Sequence, residues 1–261
     1  MITSTRPASF RLERQPLDLR FRMTHLAERQ WLTPHYVRVR LAGDDLAGFS
    51  SLGSDDHIRV FFPAAPPATV EKLRAAPSRE YTPLAWDAEA GWLDLEFAIH
   101  GDGIASRWAA TAEIGAVAGV GGPRGSLVLH GRPDAWLLAG DETAVPAMRR
   151  FAALMDADAH GRIVVEVADA AHELSIAAPS GVTVSFVHRG SDAAGAALAR
   201  TLDALTAADR PAGDVFAFVG AEQSIVKPAR ALLQERWELP TDTFVAKGYW
   251  KRGETEYHAP H

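Results

Sequence analysis

The chain of 261 residues contains no cysteine. Disulfide bonds, cysteine nucleophiles, thiolate metal sites and cysteine-held iron–sulfur clusters are therefore excluded. No apolar run approaches the roughly 18 residues that a membrane-spanning helix needs, and the arginine-rich start lacks the apolar core of a secretory signal. The absence of cysteine fits a reducing compartment. Together with the lack of a membrane-spanning run and of a secretory signal, it leads us to predict a cytoplasmic protein that does not enter a membrane.

Three sequence fingerprints of catalytic or cofactor sites are missing as well. The chain has no G-x-G-x-x-G dinucleotide pattern, no G-x-S-x-G nucleophile turn and no H-x-x-x-H metalloprotease pair. We therefore predict that a nicotinamide cofactor, if one is used, binds only transiently. We also predict that no side chain acts as a nucleophile and that the chain holds no dedicated metal site.

The charge balance is moderately acidic. Asp and Glu number 33 against 27 Lys and Arg, which gives a net charge of −6. A general nucleic-acid binder is more often basic, so we predict no nucleic-acid partner. Apolar residues make up 47% and charged residues 23% of the chain, the proportions of an ordinary globular protein with a sizeable core.

The two halves of the chain differ in the period of their hydrophobic residues. In the first half, residues 37–41 and 93–99 alternate between apolar and polar, and glycines and prolines separate such segments. This pattern is typical of short strands in a small antiparallel barrel. In the second half, continuous apolar runs such as 135–139 and 215–219 alternate with helical stripes. That pattern indicates a parallel α/β sheet buried on both faces.

The turn-rich segment 131–134 separates the two patterns. We predict a β-barrel plus α/β architecture, in which an antiparallel barrel of the six-stranded type occupies residues 1–130. A parallel-sheet domain of the nucleotide-binding type is predicted for residues 131–261. Residues 1–20 are predicted to be flexible because they are rich in arginine, and the chain is predicted to be a monomer.

One short segment of the first half carries the groups that a flavin needs. These are a cation for the phosphate, an aromatic surface near the ring, and a hydroxyl for a ring nitrogen or a ribityl oxygen. Arg79, Tyr81 and Thr82 supply them on one predicted strand, where Arg79 and Tyr81 share a face because they are two residues apart. The alternative is an ordinary cross-strand pair.

A second segment, which contains Gly103, Ala105 and Ser106, lies between a predicted strand and a predicted helix. Backbone N–H groups at a helix start bind phosphate, and small residues allow it to approach closely. The alternative is a simple serine N-cap. Together with the Arg79 segment, it favours a pyrophosphate, and hence FAD rather than the mononucleotide FMN. The flavin is predicted to be non-covalent, because no cysteine and no histidine-linkage motif is present.

A third segment, residues 139–147, follows the first strand of the second half. Ligands of open parallel sheets bind at the carboxyl ends of the strands, so we predict that this loop borders the flavin. Asp141 or Thr143 is also predicted to cap the following helix.

The order of these segments resembles that of the siderophore-interacting protein family, a branch of the ferredoxin-reductase-like flavoproteins. The matching segments cover residues 32–39, 56–63, 79–83, 100–109, 122–126, 140–147 and 248–253. The resemblance implies a flavin-binding barrel followed by an α/β reductase domain. It also implies an FAD-dependent enzyme that reduces ferric iron held by siderophores, with NADH, NADPH or a ferredoxin as electron donor.

The resemblance completes the predicted flavin site, which comprises Arg79, Tyr81, Thr82, His100, Gly103, Ala105, Ser106, Thr143, Ala144 and Trp250. Two positions depart from the family pattern. Leu84 stands where family members usually carry an arginine, which puts one flavin phosphate contact in question. Lys251 stands where the family often has arginine, so the charge is kept but the bidentate geometry is lost.

A siderophore reductase needs positive charge, because many ferric siderophore complexes are anionic. Siderophores hold iron through hard oxygen donors, which bind Fe(III) far better than Fe(II), so one electron weakens the complex. A flavin takes two electrons and gives them one at a time, which suits a two-electron donor and a one-electron acceptor. We predict that Arg59, Arg124 and Lys251 form a basic rim beside the flavin, with Lys247 as a further candidate. The alternative for each is an ordinary solvated charge.

Two other functions stay open at this point. One is a flavin reductase on the same scaffold that serves a quinone or a redox protein. The other is a non-enzymatic intracellular siderophore-binding protein, which would not need the Arg79 and Ser106 segments. A yellow purified protein with a flavin spectrum would favour either enzyme over the carrier.

Overall fold

The computed structural model describes residues 8–101, 103–254 and 257. The strands of the first half are β1 (Phe10–Pro16), β2 (Phe21–Thr33), β3 (Tyr36–Ala42), β4 (Ile58–Phe61), β5 (Ser78–Tyr81), β6 (Ala85–Asp87), β7 (Trp92–Ala98), β8 (Val117–Gly121) and β9 (Gly125–Gly131). Seven of them form an antiparallel sheet in the order β5-β4-β8-β2-β3-β7-β6, and β1 pairs with β9. Two helices lie between the strands, α1 (Val70–Arg74) and α2 (Ile104–Thr111).

Alternate residues of the seven-stranded sheet form the core of this barrel-like domain. Val37, Val39 and Leu41 of β3 are fully buried, whereas Arg38 and Arg40 between them are only partly buried. The period-two pattern therefore places one face of the strand in the core. The predicted antiparallel barrel is confirmed, with seven strands in its main sheet rather than six.

The prediction of a flexible N-terminus is wrong for residues 10–16. They form β1, which pairs with β9 along its whole length. Phe10 is buried and its ring packs edge-on against Phe216 at 5.9 Å, whereas Arg11 is exposed. The alternation of apolar and charged side chains, and not the number of arginines, decides the structure of this segment. Residues 1–7 lie outside the described residues.

The second half holds a parallel sheet. Its strands are β10 (Ala135–Asp141), β11 (His160–Val167), β12 (Gly181–His188), β13 (Val215–Glu222) and β14 (Phe244–Trp250), in the order β12-β11-β10-β13-β14. All neighbours run parallel, and β10 and β13 are buried along their whole length, as the continuous apolar runs predict. The helices are α3 (Val145–Ala152), α4 (Ala196–Ala204) and α5 (Val226–Arg230), which continues as the π-helical turn Ala231–Arg236.

Two apolar cores lie on the two faces of the parallel sheet. On one face, Leu198, Leu202 and Leu233 of the helical segments pack against the strands, as the helical stripes predict. On the other face, α3 and the strands share a core with Phe10 and Tyr36 of the first half. The two halves are therefore joined by a common core.

The carboxyl edge of the parallel sheet lies against the first half of the chain. The hydroxyl of Tyr36, at the start of β3, donates a hydrogen bond to the backbone oxygen of Glu142, directly after β10, at 3.1 Å. This is the edge at which ligands bind in open α/β sheets.

Candidate functional site

A cleft of about 390 Å³ lies at this edge, between the first half of the chain and the parallel sheet. Three of the predicted flavin-site residues line it, namely His100, Thr143 and Trp250. The rest of the wall comes from the turn between β2 and β3, from the end of β7, and from segments that follow β10, β11 and β12. The cleft therefore brings together residues that are far apart in the sequence.

Two aromatic rings face each other in this cleft. The imidazole of His100 and the indole of Trp250 are stacked with 27° between their planes, and their centroids are 6.3 Å apart. His100 precedes α2, whereas Trp250 ends β14. Flat side chains of this kind suit the wall of a site for a planar ligand.

Asp141 lies behind Trp250 at the end of β10. Its carboxylate accepts hydrogen bonds from the Thr143 N–H at 2.9 Å, from the Thr143 hydroxyl at 2.5 Å and from the Trp250 Nε1–H at 2.8 Å. Burial, and next the negative charge of Glu142, raise the pKa of Asp141 to about 6, although these hydrogen bonds oppose the increase. The predicted cap by Asp141 is confirmed, but the sequence did not predict the contact with Trp250.

The Arg79 segment forms β5 and the residue after it. The ring of Tyr81 packs against Phe97 with centroids 4.2 Å apart, and burial raises the pKa of Tyr81 well above its ordinary value. Arg79 is half-buried, and its Nη1 donates to a backbone carbonyl at 2.7 Å. Thr82 is buried and contacts the hydroxyl of Tyr249 on β14. The segment is therefore tied to the strand that ends in the cleft.

The Ser106 segment starts a helix, as predicted. α2 begins after Gly103, which has no side chain to cap it, and no side chain of the described residues accepts a hydrogen bond from its first-turn amides. Ala105 and Ser106 are buried, and the Ser106 hydroxyl is directed at the carbonyls of Ala98 and His100, at 3.5 and 3.4 Å. A phosphate would therefore meet backbone amides rather than the serine hydroxyl. This uncapped helix start and the aromatic-lined cleft fit a flavin dinucleotide.

The four predicted substrate cations lie on different elements. Three have carboxylate partners: Arg59 pairs with Glu80 at 3.3 Å, Lys247 with Asp55 at 2.7 Å, and Lys251 with Glu254. Arg124 is exposed in the turn between β8 and β9. The described walls of the cleft include none of the four. The basic rim therefore stays a prediction.

Leu84, the departure from the family pattern, is half-buried, and its N–H donates to the Asp94 carbonyl at 3.0 Å. The side chain of Arg150 on α3 reaches the residue before it, donating to the Pro83 carbonyl at 3.2 Å and to the Ser51 hydroxyl at 2.9 Å. Leu84 itself supplies no positive charge for a flavin phosphate. The guanidinium of the nearby Arg150 already donates hydrogen bonds to acceptors of the protein.

Three contacts around the cleft were not predicted. Besides the Tyr36 contact with Glu142, Arg189 pairs with the Glu142 carboxylate at 2.6 Å, and the rings of His35 and His172 stack at 4.3 Å. The partners come from different elements and lie at least 47 residues apart in sequence. The one available signal was position, because Glu142 directly follows a buried parallel strand.

Two family models match most of the chain. A siderophore-interacting FAD-binding domain matches residues 25–127, and a siderophore-interacting protein model matches residues 133–253. The boundary between the two matches coincides with the change from antiparallel to parallel strands.

Individual relatives agree with the family models. The NADPH-dependent ferric-chelate reductase of Escherichia coli is 33% identical over 224 residues, which cover 80% of this chain and 85% of that protein. The ferric vibriobactin reductase of Vibrio cholerae is 29% identical over 252 residues, which cover 91% and 92%. The crystal structure of a siderophore utilization protein from T. fusca superimposes with a TM-score of 0.83 at 35% identity and covers 95% and 98%. From its motifs, its fold and these matches, the chain belongs to the siderophore-interacting protein family.

Proposed function

We propose that this protein is an FAD-dependent ferric-siderophore reductase, which releases iron by one-electron reduction of Fe(III) to Fe(II). The observation that carries the proposal is the cleft at the carboxyl edge, where His100 and Trp250 present aromatic faces. The FAD-binding family model supports the cofactor, and the names of the Escherichia coli and Vibrio cholerae relatives support the ferric substrate.

FAD, when bound, supplies the change from two-electron to one-electron transfer. The residues of the chain bind and orient it. Arg79 and the first amides of α2 would hold its phosphates, His100 and Trp250 would flank its ring, and Thr143 and Ala144 would border it from the loop after β10. No side chain is required as a nucleophile or a general base.

Organisation and location belong to the same proposal. We place the two domains at residues 1–130 and 131–261, because the strands change from antiparallel to parallel between β9 and β10. We further propose that the protein is a monomer in the cytoplasm and that it has no nucleic-acid or membrane partner. None of the helices in the described residues has the length and apolar character needed to cross a bilayer. In the same residues, no three His, Asp or Glu side chains gather as a metal site would require.

The function is tested anaerobically with the full chain. The protein is supplied with FAD and mixed with NADH, NADPH or a reduced ferredoxin, and then with a ferric siderophore. We expect the flavin absorbance to bleach with at least one donor and to return with the ferric siderophore, while a chelator captures Fe(II). Reoxidation by a quinone but not by any ferric siderophore would favour the other reductase. Siderophore binding without any FAD binding would favour the carrier.

A stable complex with NADPH is not expected. The helical turn after β10 is capped by Asp141, and the turn after β13 is capped by Glu222, which accepts from the Ser224 N–H at 2.8 Å. These carboxylates occupy the helix starts that a pyrophosphate would use. We predict a Kd for NADPH above roughly 0.1 mM by calorimetry, which corresponds to weak binding. A submicromolar Kd would contradict this prediction.

Charge reversal at Arg124 tests the basic rim. We expect Arg124→Glu to raise the KM for an anionic ferric siderophore by about three- to tenfold, because an exposed cation attracts anions over a distance. The Kd for FAD should not change, and the effect should shrink in high salt. The control is Arg200→Glu, which alters an exposed cation on α4 that pairs with Asp192 outside the cleft. Equal changes in KM for both variants would remove Arg124 from the substrate site.

A further inference from the structure

Asp141 is the most heavily hydrogen-bonded carboxylate at the cleft. It is 1% exposed, and besides Thr143 and Trp250 it accepts a hydrogen bond from the Glu222 N–H at 3.1 Å. Four donors from the ends of β10, β13 and β14 therefore converge on one side chain. A carboxylate has about four lone-pair positions, so its capacity to accept hydrogen bonds is filled.

The orientation of the Trp250 indole depends on this carboxylate. An indole has a single polar donor, Nε1–H, and here it points at Asp141 Oδ2 at 2.8 Å. Trp250 stands opposite Glu222 in the register of β13 and β14, next to an irregularity in that register. The backbone is therefore locally irregular at this point, and the side-chain hydrogen bond fixes which way the ring faces.

We propose that Asp141, in its ionised form, is a positioning residue that holds the Trp250 indole in the wall of the cleft, facing His100. The indole contact itself is independent of the reaction. Its consequence for FAD rests on the proposed function, which places Trp250 beside the flavin ring.

The charge of Asp141 is sensitive to pH near neutrality. The ionisable groups that surround it are Glu142 on its own turn, Glu166 opposite it on β11, Glu222 on β13, Tyr249 on β14, Arg189 after β12, and His100 across the indole. Burial raises the pKa of Asp141 to about 6. Below this pH the carboxyl gains a proton, one acceptor position becomes a donor, and the indole N–H competes for the acceptors that are left.

The decisive test is an NMR titration of the full chain between pH 5 and 8. The chain has seven tryptophans, so its indole N–H signals are few, and Trp250→Phe identifies the signal of interest. We expect that signal to move with a midpoint near pH 6 and to stop moving in Asp141→Asn. His100→Gln is the matched control, because His100 faces the same indole, and the movement should persist there. A Trp250 signal that has the same position at pH 8 in the unchanged chain and in Asp141→Asn, or one that still titrates in Asp141→Asn, would overturn the proposal.

Asp141→Asn is a mild change, because asparagine is also a good N-cap and can keep the contact with Thr143. If it nevertheless fails to fold, Trp250→Phe provides a second test, since it leaves the carboxylate and its cap in place. The Thr143 amide then reports the titration of Asp141. Because the indole hydrogen bond favours the ionised form, its removal should raise the midpoint by about one pH unit. An unchanged midpoint would contradict the proposal.

A separate measurement tests the connection with the flavin. At pH 7.5, Asp141→Asn and Trp250→Phe should each raise the Kd for FAD, by about fivefold for a displaced aromatic contact. If the indole signal behaves as expected but neither variant changes the Kd, Asp141 positions Trp250 and the flavin site has been placed wrongly. The two failures are therefore distinguishable.

Discussion

Replacement of Arg79 by alanine is expected to raise the Kd for FAD about 30-fold. Hydrogen bonds to a charged group contribute about 1.5 to 3 kcal/mol, which corresponds to roughly 10- to 150-fold in affinity. Arg79 is half-buried on β5, three residues before Thr82, which contacts Tyr249 on the strand that ends in the cleft. The measurement is the quenching of FAD fluorescence on titration with flavin-free protein at fixed ionic strength.

Two further variants show whether the effect comes from a contact between Arg79 and the flavin phosphate. Arg79→Lys keeps the charge but loses the planar fork, so an intermediate Kd is expected. Arg74→Ala removes an exposed arginine at the end of α1, whose guanidinium lies over the Phe21 ring at 4.7 Å. This control removes a cation from the same domain and should leave the Kd for FAD unchanged. If Arg79→Ala purifies with its full content of flavin, Arg79 does not hold the phosphate.

The sequence predicted the parallel sheet better than the N-terminal strand for a physical reason. A strand buried on both faces, such as β10, is a short continuous apolar run, and its length and its alternation with helical segments predict a parallel sheet. β1 buries only one face, and its inward residues Phe10 and Leu12 alternate with Arg11 and Glu13. Its partners, β9 and the core around Phe216, are distant in the chain. The many arginines of the N-terminal segment led to the prediction of a flexible chain, although its apolar residues follow the period of two that is typical of a strand.

The candidate site was predictable in its residue types but not in its charges. Thr143 follows the parallel strand β10 and Trp250 is the last residue of β14, so their position at the carboxyl edge follows from topology. The partner of Lys247 is Asp55, 192 residues away, and that of Arg59 is Glu80 on the adjacent strand. The sequence shows that a residue is a cation but does not show which acidic side chain will neutralise it. The net charge of a site therefore becomes known only from the folded structure.

The contact between the two halves also depends on charges that the sequence does not pair. Glu96 on β7 is fully buried and accepts from Arg38, its cross-strand neighbour on β3, at 2.7 Å. Arg149 on α3 binds the same carboxylate oxygen and donates to the Ser175 carbonyl at 2.8 Å. One carboxylate therefore links the antiparallel sheet to the α/β domain.

Glu96→Ala is expected to lower the free energy of unfolding by about 3 kcal/mol. Removal of one partner of a buried ion pair costs roughly 3 to 5 kcal/mol, because an uncompensated charge is left behind. The lower end applies here, since the side chain of Arg38 is 33% exposed and water reaches it. The measurement is urea denaturation at pH 7, followed by fluorescence and by far-ultraviolet circular dichroism.

The matched control is Asp158→Ala, which breaks the exposed ion pair with Arg132 and should change stability little, because water screens such pairs. If Glu96→Ala is no more destabilising than Asp158→Ala, the buried carboxylate contributes little to joining the two halves, and their shared apolar core and the other contacts between them hold them together. If the two probes separate only in Glu96→Ala, the halves unfold in succession once this link is removed.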